Sequence, residues 1–186
     1  MRIIDAHVHV LSTYEPMDPF PDTGRVDRLL FLMDDAGVEK AVMLPVVAPF
    51  SPENNADCAR WAREHADRLA TMTDVALHEA DAAERVARAR DAYDCVAISY
   101  YPNSADIAWM LDEERAPLWQ AFVDSGLVCN LQVTPPNYGT LLALAQRYPS
   151  VRFLCNHLGL PSSLDPVDVT YGCLLYTSPS PRDNLP

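Results

Sequence analysis

Six short, apolar, β-rich runs recur along this chain, and helical spacing fills the gaps between them. The runs are "RIIDAHVHV", "EKAVMLPVV", "LATMTDVAL", "CVAISYY", "LVCNLQVT" and "VRFLCNHLG". The first gap holds "RVDRLLFLMDDAG", whose Gly37 suits a helix C-cap. The second holds "SPENNADCARWAREHADR", predicted to start with Ser51 as N-cap and Pro52 as the first helical residue. "EADAAERVARARDAY" and "YGTLLALAQRYP" are further helices, and "DEERAPLWQAFVDSG" is one that breaks or restarts near Pro117. Strands that are apolar almost throughout, alternating with helices, must be covered on both faces. That is the pattern of parallel βα units.

Two layouts satisfy such a series: an open, doubly wound sheet and a closed (β/α)8 barrel. The first strand-to-helix turn lacks G-x-G-x-x-G, so a dinucleotide-binding sheet has no support. Polar residues gather where strands end and helices begin, which is the catalytic face of a barrel. A full barrel takes about 250 residues, whereas this chain has 186 and shows six strands.

The net charge of −12 repels a phosphate backbone, so no nucleic-acid partner is expected. No apolar run reaches the roughly 20 residues of a membrane span, and no leader pattern precedes the first strand. The five cysteines are odd in number and form no C-x-x-C. Reduced thiols and a cytoplasmic location are expected.

The chemistry begins at "DAHVHV", residues 5 to 10. Regular alternation along a strand puts His7 and His9 on one side, with Asp5 one step deeper. At the end of a first strand, two such imidazoles can hold one divalent metal, which would acidify water and polarise a carbonyl. The competing reading is a pair of core histidines satisfied by hydrogen bonds. His157, after the sixth strand in "FLCNHLGLP", is a third candidate. Asn130 and Gln132 share a face of the fifth strand and are candidate donors to a substrate oxygen, or else polar filling. His78 follows the third strand and is placed at the pocket rim. Trp61, Trp109 and Trp119 are assigned to core or interface.

"IIDAHVHV", "PLWQAFVDSGLVCNLQV" and "LALAQRYPSVRFLCNHLGLP", in that order, resemble the amidohydrolase superfamily. The likeness covers about residues 2 to 161 and is nearest to the amidohydrolase-related branch with lactonases and pyrone-dicarboxylate hydrolase. It implies a (β/α)8 TIM barrel, here truncated after about six βα units. It also implies hydrolysis of esters, lactones or amides, with decarboxylation in some members. His7 and His9 match the first-strand metal pair. His157 matches the sixth-strand histidine, a metal ligand and catalytic residue. The implied cofactor is zinc or manganese, although some members of the branch work without a tightly held metal. There are departures: Asn156 stands where many relatives have Asp, and "CVAISYY" lacks the Arg of relatives that bind dicarboxylates. The family's catalytic Asp ends an eighth strand, and no eighth strand is visible here.

After Asp165 the character changes. "CLLYTSPSPRD", Cys173 to Asp183, resembles the translation of a transposon-end adapter used to build sequencing libraries. On that reading residues 1–172 are a partial barrel, residues 173–186 are a non-native tail, and the natural protein continues beyond about Gly172. The expected parent is a hydrolase of a small cyclic ester or related carbonyl compound, acting on a small molecule and able to self-associate. The rivals are a phosphoesterase of the PHP or TatD type, which also opens with H-x-H, and a non-catalytic barrel fragment.

Overall fold

The computed structural model describes residues 2–11, 22, 24–47, 51–102 and 105–156. The strands are β1 (Ile4–Val8), β2 (Lys40–Met43), β3 (Leu69–Asp74), β4 (Ala97–Tyr100), β5 (Val128–Leu131) and β6 (Arg152–Cys155). The helices between them are α1 (Val26–Ala36), α2 (Asn54–Glu64), α3 (Ala82–Tyr93), α4 (Ala116–Ser125) and α5 (Tyr138–Arg147). All strand pairs are parallel, and the spatial order is β1-β2-β3-β4-β5-β6. Sequential parallel order with a helix in every crossover is the wall of a (β/α)8-type barrel, of which six strands are present among the described residues. A doubly wound sheet would reverse its strand order partway.

Local sequence explains most boundaries. Gly37 ends α1 at φ 67°, a left-handed position that strains other residues, and the Val38 N–H closes the turn on the Met33 carbonyl at 2.8 Å. Pro117 lies in the first turn of α4, after two short 3-10 turns at Ala108–Leu111 and Glu113–Arg115. The restart read near Pro117 is therefore real.

The start of α2 differs from the expectation. Ser51 does not cap it; the helix begins at Asn54, with Glu53 at the cap position. Asn54 instead ties down the strand ends: its Oδ1 accepts from Val46 N–H at 2.8 Å and its Nδ2 donates to the Val10 carbonyl at 2.8 Å. An amide with a donor and an acceptor can bridge two segments, and that outweighs a serine cap here.

Side chains divide between two faces. Toward the helices point Ile98, Tyr100, Cys129 and Leu131, packed with Leu118, Trp119, Phe122 and Leu144. A smaller cluster joins Ala41, Met43, Cys58 and Trp61 beside α1 and α2. The opposite face lines the lumen, where Leu44, Met72 and Ala97 pack with Val42, Tyr101 and Val128. Trp119 is wholly buried and donates its indole N–H to the Met110 carbonyl at 2.9 Å. Among the described residues, Cys58, Cys95, Cys129 and Cys155 are free thiols.

β1 does not alternate regularly. Asp5 pairs with Ala41 and Val8 with Met43, so three steps on β1 match two on β2 and one extra residue is inserted. Ala41 and Met43 both face the helices, so Asp5 and Val8 do too. The expectation that Asp5 shares a side with His7 and His9 is thus corrected: the bulge moves the two histidines, and not Asp5, to the lumen.

The sheet margins are open among the described residues. Ile4 on β1 is 59% exposed and Leu154 on β6 is 40% exposed. No described helix is long and apolar enough to cross a membrane.

Candidate functional site

The carboxyl ends of the strands bring together His7, His9, Ser99, Tyr101, Asn130 and Asn156. The two imidazoles meet edge to face with ring centroids 4.9 Å apart, and their Nε2 atoms are 3.2 Å apart. His9 Nδ1 lies 2.9 Å from the Leu44 carbonyl. A carbonyl only accepts, so Nδ1 carries the proton and the Nε2 of neutral His9 is a bare lone pair aimed at His7. The backbone N–H of His7 donates to Asp5 Oδ1 at 3.0 Å, which steadies the bulge.

Two bare nitrogens at 3.2 Å repel unless a proton or a cation lies between them. Two ligands of one ion, each roughly 2.1 Å from it, lie roughly 3.0–3.4 Å apart at octahedral to tetrahedral angles. The donor set and its spacing therefore fit a divalent metal. Among the described residues, no cluster of three or more metal-ligating side chains is complete. His157 lies outside the described residues, so its placement beside the pair is not part of this geometry.

Across the lumen stands Tyr101, just past β4. Its hydroxyl is 3.4 Å from His7 Nε2 and accepts from Asn156 Nδ2 at 3.2 Å. Burial, reinforced by the Asp74 carboxylate, pushes the Tyr101 phenol up to about 12, so it is a neutral hydroxyl at physiological pH. Burial likewise raises the Asp74 carboxyl, opposed by a 3.1 Å hydrogen bond from Val47 N–H and by Arg85. Asp74, Ser99 and Asn130 are register partners on β3, β4 and β5, forming one polar step above the apolar lumen floor.

Asn130 is fully buried in that step. Its Nδ2 donates to Ser99 Oγ at 3.3 Å, and its Oδ1 has no partner among the described residues. Gln132 follows on the same face, past the end of β5, with its backbone N–H on the Tyr100 carbonyl at 3.2 Å. His78 is not brought to this group. Its Nδ1 is 3.1 Å from the Tyr100 hydroxyl, and Tyr100 packs on the helix side against Trp109. Consecutive residues point to opposite faces, so Tyr100 carries His78 away from the face that Tyr101 serves.

Sequence reasoning missed Tyr101, Ser99 and Asp74. The alternation of "CVAISYY" carried a signal: Ala97, Ser99 and Tyr101 share a face and become more polar toward the strand end.

A parallel barrel wall with a histidine pair at the carboxyl end of its first strand defines a class of barrel enzymes. The family model described as Amidohydrolase matches residues 4–172, and the chain belongs to that family. Among solved structures, it is similar to a probable 2-pyrone-4,6-dicarboxylic acid hydrolase from Acinetobacter baumannii with citric acid bound. Identity is 16%, the TM-score is 0.64, and the match covers 86% of this chain and 59% of that one. A 5-carboxyvanillate decarboxylase from Novosphingobium aromaticivorans, complexed with manganese, is 14% identical with a TM-score of 0.64, covering 85% and 65%. An amidohydrolase from Burkholderia multivorans with bound zinc is 19% identical with a TM-score of 0.67, covering 87% and 59%. The chain thus spans 59% to 65% of the length of these three. Comparison with curated proteins finds no match.

Proposed function

We propose that this site belongs to a metal-dependent hydrolase of a small cyclic ester (a lactone) or a related carbonyl compound. The observation that carries the proposal is the His7–His9 pair, with its Nε2 atoms 3.2 Å apart and His9 locked in one tautomer by Leu44. His7 and His9 would hold zinc or manganese, the metals in two of the similar structures, and His157 is proposed as the third ligand and a catalytic group. Such a metal supplies Lewis acidity toward a carbonyl and an acidified water.

The chain's own groups favour an uncharged substrate. Tyr101, Ser99, Asn130 and Asn156 are neutral, and the nearby charged group in the described step is the Asp74 carboxylate. An anionic substrate, or the phosphate of a phosphoesterase, calls for cationic partners. The decarboxylase named above acts on a carboxylated ring by its name; the neutral lining here favours a lactone over such an anion.

The test is metal content. Purified chain equilibrated with zinc and desalted should carry the ion, and replacing both His7 and His9 by Ala should reduce binding at least tenfold. Hydrolysis of a lactone panel, assayed on the chain extended by two further βα units, should vanish in the same variant. Undiminished metal binding or hydrolysis in the double variant would place the site elsewhere.

A further inference from the structure

We propose that Tyr101 is the hydrogen-bond donor that recognises the substrate carbonyl oxygen beside His7, and that Asn156 orients it. The inference rests on the reading of the site as one for an uncharged carbonyl compound, and it follows from counting protons. The Tyr101 oxygen accepts the Asn156 Nδ2–H bond at 3.2 Å. The phenol keeps its own proton to give, and His7 Nε2 also lies within hydrogen-bond reach of it.

His7 Nε2, at 3.4 Å, is not the natural taker of that proton. It faces the bare Nε2 of His9 at 3.2 Å, which demands a proton or a cation between the two rings. In either case the His7 lone pair is committed. The Tyr101 O–H is therefore left facing the lumen, next to the nitrogen pair where a carbonyl would be polarised. A donor fixed at that spot needs no reorganisation when the oxygen arrives.

Asn156 makes this possible because its amide gives a proton to Tyr101. A carboxylate at the same position would accept the tyrosine proton and turn it away from the lumen.

The test uses the zinc-equilibrated 186-residue chain and N-methyl-2-pyrrolidinone, a carbonyl ring that is not hydrolysed and has no N–H. NMR titration should show binding that weakens at least fivefold in Tyr101→Phe, while zinc affinity changes less than threefold. Asn156→Asp, which keeps the tyrosine ring and its packing, should weaken the probe similarly. Equal probe affinity in wild type and Tyr101→Phe, or no probe binding by wild type, would overturn the proposal. So would loss of zinc with the Phe variant, because Tyr101 would then act on the metal. If Tyr101→Phe does not fold, wild-type affinity in Asn156→Asp overturns it alone. A chain extended by two further βα units that hydrolyses no lactone, with the probe pattern as expected, defeats the hydrolase reading and leaves the donor role standing.

Discussion

The centre of the sheet and its margins are built to different standards. Around β4 and β5, helices α3, α4 and α5 close a continuous apolar layer in which Trp119 stacks on Phe122 at 5.8 Å and packs tilted against Tyr148 at 5.4 Å. At the margins, apolar side chains stand in the open: Ile4 on β1, Leu154 on β6, Phe31 on α1 at 59% exposed and Leu142 on α5 at 61%. The site is divided the same way. Tyr101 and Asn130 stand on the well-supported centre, whereas His7 and His9 stand on or just past the marginal strand β1. The parts that would recognise a substrate are better buttressed than those that would hold a metal.

The largest expected effect probes the centre. Trp119→Ala removes three ring contacts and an indole hydrogen bond, and should cost roughly 3–5 kcal/mol, read as a lower urea midpoint. A loss below about 1 kcal/mol would mean that the centre is no better packed than the edge.

At the margins, strand edges with no partner among the described residues, beside exposed apolar groups, are an aggregation template. The chain should bind a hydrophobic dye and sediment partly as oligomers. Ile4→Lys with Leu154→Lys should reduce both signals severalfold and move stability by less than about 0.5 kcal/mol. A clear loss of stability instead would show that these faces are covered in solution.

A smaller effect concerns pH. Burial raises the Asp74 carboxyl in the folded chain. A raised carboxyl favours folding fully below its unfolded value of about 4, and that contribution fades as pH rises through the folded value. Asp74→Asn can still accept from Val47, so its melting temperature should gain roughly 1–3 °C at pH 7 and nothing at pH 3. A variant less stable at pH 7 would show that the Val47 hydrogen bond outweighs the burial. The smallest effect is expected from deleting residues 173–186: if adapter-encoded, their loss should shift melting by less than about 1 °C.

The fold was legible because six mostly apolar strands alternate with helical spacing and some helices end on a stop signal such as Gly37. The start of α2 was not, because Asn54 serves the tertiary structure before it serves the helix. The histidine pair was legible from spacing. The faces of Asp5 and His78 were not: one depends on an inserted residue in β1, the other on which of two adjacent tyrosines a histidine meets. Tyr101 was hidden because phenols in strands usually read as packing.

The inserted residue in β1 has an engineering corollary. A designer transplanting this histidine pair into another parallel sheet could not copy H-x-H alone. On an unbroken strand that keeps Ile4 and Ala6 facing inward, His7 and His9 would both turn outward against the helices. The transferable unit is the stretch from Asp5 to Val10, whose surplus residue acts as a phase shifter, and deleting one residue from it should relocate both imidazoles at once.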